Sequence, residues 1–195
     1  AFWEGEIVDR ALVCLPIEKA QKVPVPKNKY ATLGDRWLDV DFRAEQHAAE
    51  LQNTVYLGDS LPIAWPNMGP EIFSAWCGCG YNYGESTTWS DPCIENWDSD
   101  ADSAVFDFEH KLFKLTDRFT DNLLYLSKGN FIVGLTDFHP GGDHIAALRD
   151  PANLAMDMIE NLDFVEKKLA SSYPEYFKAY NHFYEKLKKA GMPIT

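Results

Sequence analysis

A turn in the second half of the chain holds several side chains that can transfer protons or bind a ligand. The apolar run 131–135 ends there, and Asp137, His139, Asp143 and His144 follow closely. Carboxyl and imidazole groups are the usual general acids and bases of enzymes. In parallel α/β folds the chemistry lies at the carboxyl ends of strands, where a cleft desolvates an acid and raises its pKa. The pattern therefore predicts Asp137 and His139 as catalytic residues.

A second acid, Asp59, has the same kind of position. It follows the strand-like sequence VYLG at 55–58. For this residue, as for Asp137, the alternative is an ordinary turn or helix-capping aspartate. Position at a strand end predicts Asp59 as a third catalytic residue.

The turn could also be interpreted as a metal site, because histidine and carboxylate ligands suit zinc or iron. Its spacing matches no tight ligand motif, and Gly141-Gly142 is typical of a plain sharp turn. We therefore expect no metal there. Thr136 and Asp143 are predicted to contact substrate instead, while His144 is expected to begin a helix and to be solvated.

Three cysteines lie close together in the sequence at Cys77, Cys79 and Cys93. Three thiolates can hold zinc, but structural zinc sites usually show C-x2-C pairs and four ligands. The C-x-C spacing favours small buried thiols beside glycines. A disulfide framework is unusual at this size, so we expect reduced thiols and a cytoplasmic protein.

The segment 61–76 is rich in aromatic residues and prolines. Trp65, Phe73 and Trp76 could form the wall of a pocket for a flat ligand, and we predict all three as substrate-binding residues. The same segment could instead be a loop that plugs one end of a barrel. The sequence leaves both interpretations open.

Apolar runs and helical periodicity alternate along the chain. Strands are predicted at 11–17, 55–59, 86–89 and 131–135, and helices at 40–51, 67–77, 108–126, 154–169 and from Pro174 onward. The strands are apolar throughout, which indicates a parallel sheet covered by helices. A (β/α)8 barrel and an open doubly wound sheet both satisfy this pattern. A nucleotide-binding version of the doubly wound sheet is disfavoured, since the sequence has neither G-x-G-x-x-G nor a P-loop motif.

Length, net charge and hydropathy limit the size of the core and the kinds of partner that the chain can have. The 195 residues are enough for a single domain, 1–195, with a real core. A net charge of −12 argues against a nucleic-acid partner or an anionic membrane surface, because both need a basic face. No apolar run approaches the roughly 20 residues that a membrane span needs.

Three stretches together resemble the uroporphyrinogen decarboxylase-like superfamily. GEIVDRALVCLP at 5–16 resembles its opening, where a G-x-x-x-D-R run leads into the first barrel strand. The stretch 56–78 resembles the segment after the second strand, and 134–169 a long segment in which a leucine- and arginine-containing run precedes a helix. The resemblance covers most of the chain, and the order and spacing of the pieces carry it.

The resemblance implies a (β/α)8 barrel of which this chain is the N-terminal half, so we expect an incomplete barrel and a fragment of a longer protein. An incipient strand at 192–195 agrees with this expectation. The superfamily contains the haem-pathway decarboxylase and cobalamin-dependent methyltransferases. Asp59 matches an acid that contacts pyrrole N–H groups in the decarboxylase, and the turn 136–143 matches a segment lining the same cleft.

Two departures from the family pattern guide the functional hypothesis. The decarboxylase has an R-Q-A-G-R-Y loop whose arginines hold substrate carboxylates, and this chain has Val13-Cys14-Leu15-Pro16 instead. The thiol methyltransferases resemble the chain better, but they bind zinc through a His-x-Cys and a distant Cys, and no His-x-Cys occurs here. The resemblance thus implies no cofactor in this chain and zinc in the later half of the full-length protein.

The leading hypothesis is an enzyme whose full-length form carries out corrinoid-linked methyl transfer, with a small-molecule, tetrapyrrole or corrinoid substrate and a corrinoid protein as partner. The alternatives are a tetrapyrrole decarboxylase and a non-catalytic module that binds a tetrapyrrole or a corrinoid protein. A half-barrel leaves strand edges unpaired, so we also expect a homodimer. It would form edge to edge or through one of two helix faces. These faces are that of Leu112, Leu115, Phe119 and Leu123 and that of Phe177, Tyr180 and Tyr184.

Overall fold

The computed structural model describes residues 5–7 and 9–193. The strands are β1 (Cys14–Glu18), β2 (Thr54–Gly58), β3 (Ile63–Ala64), β4 (Gly80–Tyr83), β5 (Thr88–Asp91) and β6 (Ile132–Val133). The helices are α1 (Leu33–Leu38), α2 (Val40–Gln52), α3 (Ile72–Trp76), α4 (Trp97–Asp100), α5 (Lys111–Ser127), α6 (Gly142–Arg149), α7 (Pro151–Glu160) and α8 (Leu162–Lys189). Helices therefore dominate the fold, and the strands are short.

The six strands of the described part form three two-stranded sheets. The β1–β2 and β4–β5 pairs are antiparallel, and β3–β6 is parallel. The sequence predicted one parallel sheet, and only β3–β6 has that arrangement. The apolar strand β1 was expected to be buried, yet all of its residues are exposed, because it pairs with β2 as a ribbon. The described residues contain no closed barrel, and an incomplete (β/α)8 barrel stays a prediction.

Helical periodicity located the long helices correctly. The apolar spacing at 40–51 and 108–126 corresponds to α2 and α5. Two boundaries were wrong. The helix predicted at 154–169 is divided at Asn161 between α7 and α8. Pro174 was expected to start a new helix, but it lies inside α8. Val165 on one side of the proline and Phe183 on the other are both buried in the core, so packing holds the helix together across it.

An aromatic core joins the helices. Phe73 and Trp76 of α3 lie at its centre, 1% and 0% exposed. Their rings contact those of Phe106, Phe138 and Tyr176 around Phe73, and of Phe106, Phe113, Phe138 and Phe183 around Trp76. Full burial of each such side chain is worth about 1.5–3 kcal/mol, so this cluster is a main source of stability.

The parallel pair brings two loops to one edge. β3 ends at Ala64 and β6 at Val133, and these residues are register partners. Beyond them, Thr136 Oγ1 donates a hydrogen bond to the Pro66 carbonyl at 2.6 Å. This bond fixes the start of the turn that precedes α6.

None of the helices in residues 5–7 and 9–193 combines the length and the apolar character needed to cross a membrane.

Met192 and Pro193 have no regular secondary structure, and the rest of the strand predicted at 192–195 lies outside the described residues. Position 8 of the G-x-x-x-D-R run also lies outside them.

Candidate functional site

A cleft of about 570 Å³ opens beside the turn that carries the predicted catalytic residues. Its walls come from the start of α3, from β5, from α6 and from the start of α7. The lining residues are Pro70, Glu71, Trp89, Ser90, Pro92, His139, Asp143, Ala146, Ala147, Asp150 and Pro151. The cleft thus combines apolar walls with three carboxylates and one imidazole.

The imidazole of His139 lies between two carboxylates at this cleft. Its Nε2 is 3.0 Å from Asp137 Oδ1, and its Nδ1 is 3.8 Å from Asp143 Oδ2. Because an ionised carboxylate only accepts hydrogen bonds, Nε2 is assigned as the donor to Asp137 and Nδ1 as the free acceptor. All three side chains are accessible to solvent. The structure therefore brings together three of the four residues of the turn that were predicted as catalytic or substrate-binding groups.

Asp150 lines the same cleft and has an unusual backbone conformation. It has φ 82° and ψ 133°, a region that residues with a side chain rarely occupy. Its Oδ1 accepts hydrogen bonds from the N–H groups of Ala152 and Asn153, which caps α7. Strain of this kind costs on the order of 1–3 kcal/mol and is often found at ligand-binding sites.

The remaining predicted residues near the turn have different positions. Thr136 is buried, and its hydroxyl donates a hydrogen bond to the Pro66 carbonyl. It therefore positions the turn instead of contacting substrate. Trp65, which follows β3, is 44% exposed, and its Cβ packs against Gly134. It is available to a ligand at the carboxyl edge of the parallel pair, although it does not line the cleft.

Asp59 lies apart from the turn, on the β1–β2 ribbon. It accepts hydrogen bonds from both Nη atoms of Arg10, at 2.5 and 3.1 Å, and from the N–H of Val13 at 2.9 Å. The hydrogen bond from Arg10 holds the pKa of Asp59 below its ordinary value. The expected rise of that pKa by desolvation is therefore wrong, since Asp59 forms an ion pair at the solvent-accessible end of the β1–β2 ribbon and does not lie at the mouth of a cleft.

Three further expectations differ from the structure. Phe73 and Trp76 belong to the core and form no accessible pocket wall, because α3 is covered on all sides. His144 is 2% exposed and not solvated. Its Nδ1 shares a hydrogen bond of 2.8 Å with Ser74 Oγ, and burial lowers its pKa to about 3.

Cys77, Cys79 and Cys93 lie close to the cleft wall. Cys79 Sγ is 3.1 Å from Cys93 Sγ and 3.7 Å from the carbonyl of Ala147, a cleft residue. Cys77 is buried, and burial raises its pKa to about 12. Across residues 5–7 and 9–193, no group of three or more histidine, cysteine, aspartate or glutamate side chains is arranged to hold a metal ion.

Sequence reasoning missed Trp89 and Glu71. In β5 the buried residues Thr88 and Ser90 alternate with exposed Trp89, which is 48% exposed. Glu71 Oε2 accepts a hydrogen bond from the Ser90 N–H at 2.6 Å. An exposed tryptophan on a strand flanked by small polar residues was the available signal.

Comparison of the chain with protein-family models, with curated proteins and with solved structures found no match.

Proposed function

We propose that the chain is the N-terminal part of an enzyme of the uroporphyrinogen decarboxylase-like type, and that the cleft beside the turn holds its substrate. The observation that carries the proposal is the imidazole of His139, bonded to Asp137 and facing Asp143 at the mouth of the cleft. The parallel pair β3–β6, with its loops at one edge, supports the barrel part of the proposal.

The geometry suits His139 to proton transfer. Asp137 fixes the ring orientation by accepting from Nε2, which leaves Nδ1 to take up a proton. Asp143 lies near Nδ1 and stabilises the imidazolium that results. His139 is thus the catalytic base, Asp137 orients it, and Asp143 stabilises its charged form.

The charge of the cleft favours methyl transfer over tetrapyrrole decarboxylation. The described lining residues include three acids, Glu71, Asp143 and Asp150. They include no lysine and no arginine. A substrate with several carboxylates would be repelled here, whereas a neutral thiol and a corrinoid with an apolar face would not. We infer a reaction in which a thiol sulfur attacks a cobalt-bound methyl group. The S–C bond forms as the Co–C bond breaks, the electron pair of the broken bond stays on the corrinoid as Co(I), and His139 takes up the thiol proton.

Zinc enters this proposal only through the resemblance. The described residues offer no set of ligands for it, so no step here is assigned to zinc. The four cysteines are free, which supports a cytoplasmic location as a part of the same proposal.

Calorimetric titration with hydroxocobalamin and with coproporphyrin tests the proposal. We expect the corrinoid to bind and the porphyrin to bind weakly or not at all. A thiol-dependent change in the absorbance of methylcobalamin should follow, and it should be lost on His139→Asn. Tyr125→Ala, an exposed aromatic on α5, is the matched control and should change neither result.

Each alternative has its own outcome. Binding of coproporphyrin but not of the corrinoid would favour the decarboxylase. Binding that survives His139→Asn and Asp143→Asn but is lost on Trp89→Ala, with no methyl transfer, would favour the non-catalytic module. The proposal is contradicted if neither ligand binds.

A further inference from the structure

Among the residues that the structure describes, two arginines of this acidic protein have no carboxylate partner, and both line the same pocket. The chain has five arginines. Arg10, Arg118 and Arg149 each pair with an aspartate. Within the described residues, Arg36 and Arg43 have no carboxylate oxygen within ion-pairing distance, and they share a pocket of about 300 Å³. In a protein with a net charge of −12, two such cations side by side need an explanation.

The Arg43 guanidinium is held rigidly by neutral groups. It stacks on the ring of Trp37, with its Cζ 4.4 Å from the ring centroid, and lies 5.0 Å from the centroid of Phe119. Its Nη1 donates to the Trp37 carbonyl at 3.3 Å, and its Nη2 donates to the Asn67 carbonyl. Nε has no acceptor in the part of the chain that the structure describes. The fork is therefore oriented but not neutralised.

Arg36 has similar contacts. Its Nη2 donates to the carbonyls of Gly84 and Glu85, and its Nε and Nη1 have no acceptor among residues 5–7 and 9–193. Burial, and to a smaller extent the nearby charge of Arg36, lowers the pKa of Arg43 to about 10. The two cations thus repel each other in a partly desolvated place, at a cost that a bound anion would offset.

The other groups of the pocket leave room for an anion. Burial and the charge of Arg43 lower the pKa of His47, which keeps its ring neutral at pH 7 as a hydrogen-bonding group. Glu50 and Glu85 also line the pocket, but both are exposed and neither reaches a guanidinium. Asn28, Gln46 and Ser86 add neutral donors.

We propose that this pocket, the arginine pocket of Arg36 and Arg43, binds a small anionic ligand that carries a phosphate or a carboxylate group. A guanidinium fork matches both groups through paired N–H···O bonds. The pocket is separate from the cleft of His139, since the two share no lining residue. The proposal is independent of the reaction assigned to that cleft.

Calorimetric titration with inorganic phosphate and with succinate, at constant ionic strength set with sodium chloride, tests the proposal. We expect one-site saturable binding of at least one anion, and the stronger one identifies the phosphate or carboxylate character of the ligand. Arg36→Gln should weaken it roughly tenfold or more, because a charge-assisted pair is lost. Arg43→Lys, which keeps the charge but not the fork, should weaken it too.

Arg118→Gln is the matched control, because it removes an exposed arginine that pairs with Asp41. It should leave anion binding unchanged. Circular dichroism melting curves show whether each variant is folded. If Arg43→Lys does not fold, the binding measured for Arg36→Gln alone tests the proposal. Absence of saturable binding at tens of millimolar, or equal binding by wild type and Arg36→Gln, would overturn the proposal.

Discussion

Ser74 Oγ and His144 Nδ1 lie 2.8 Å apart inside the aromatic core. Burial lowers the pKa of His144 from its ordinary 6.5 to about 3, and the charge of Lys168 acts in the same direction. Above pH 6.5 the ring is neutral in both the folded and the unfolded chain. As the pH falls from 6.5 toward 3, only the unfolded chain takes up this proton, so the free energy of unfolding decreases by about 1.4 kcal/mol per pH unit at most.

Urea unfolding at a series of pH values measures this loss. His144→Gln removes the titrating group and keeps a hydrogen-bonding partner for Ser74, so its unfolding free energy should fall less steeply between pH 6.5 and 3 than that of wild type. Burial also lowers the pKa of the half-buried His47 and His110, and this contribution is the same in both proteins and cancels in the comparison. Ile159→Gln, a change at an exposed side chain of α7 that carries no ionisable group, should keep the wild-type slope. Equal slopes for wild type and His144→Gln would contradict the assignment.

The sequence predicted the long helices because their apolar faces repeat with helical spacing, as in α5. It could not predict which aromatic residues face a ligand. Phe73 and Trp76 lie next to each other in α3 and are surrounded by residues from distant parts of the chain, such as Phe138 and Phe183. Burial of this kind depends on tertiary packing, which a short apolar segment does not encode by itself.

The candidate cleft was predictable only in part. The turn gave His139, Asp137 and Asp143 because a strand, a sharp turn and a helix follow one another in the sequence. The opposite wall was not visible, since Trp89 comes from a hairpin about fifty residues earlier. The arginine pocket is similar: Arg36 and Arg43 meet the loop after β3 and the β4–β5 turn only in three dimensions.

Loss of Asp157 should strongly destabilise the fold. Its carboxylate is buried and accepts hydrogen bonds from Arg149 Nε at 2.6 Å and Asn161 Nδ2 at 2.8 Å. Asp157→Ala would leave the Arg149 charge partly buried without a counterion, at a cost of about 3–5 kcal/mol. Denaturant unfolding measures it.

The matched control is Asp41→Ala, which breaks the exposed pair with Arg118. Exposed pairs contribute about 0–1 kcal/mol, so this variant should unfold nearly as wild type does. Similar losses in the two variants would mean that the Arg149–Asp157 pair has no special role.

Cys79 and Cys93 should form a disulfide under mild oxidation. They flank the β4–β5 hairpin, and the hydrogen bond from Cys79 lowers the pKa of Cys93. With oxidised glutathione, the Cys93 thiolate attacks a glutathione sulfur, and Cys79 then displaces the second glutathione thiol. Two protein thiols are lost and two glutathione thiols are released.

Titration of free thiols and peptide mass mapping check this prediction. The 79–93 link should appear in wild type and in Cys77→Ser, and should be absent from Cys79→Ser and Cys93→Ser. A link from Cys77 to either residue, or no link at all after oxidation, would contradict the pairing.

The homodimer stays a prediction, and the exposed surface of the β1–β2 ribbon is a candidate interface for it. The helix face of Leu112, Phe119 and Leu123 is buried within the fold, so it cannot serve as the interface. On the β1–β2 ribbon, Leu15 pairs with Leu57 and Ile17 pairs with Val55. Side chains two residues apart lie on the same face of a strand, and all four of these are exposed, which gives one continuous apolar face.

Light scattering over a wide range of concentration tests dimerisation through this face. Wild type should scatter as a species of twice 22.2 kDa, and Leu15→Lys with Leu57→Lys should scatter as a monomer because two charges would be buried in the interface. Tyr125→Lys adds a charge at a different exposed position and should stay dimeric. A wild-type chain that remains monomeric throughout would rule out the homodimer. A dimer that survives the double substitution would place the interface elsewhere, at the open edges of β3–β6 or at exposed Phe177 of α8.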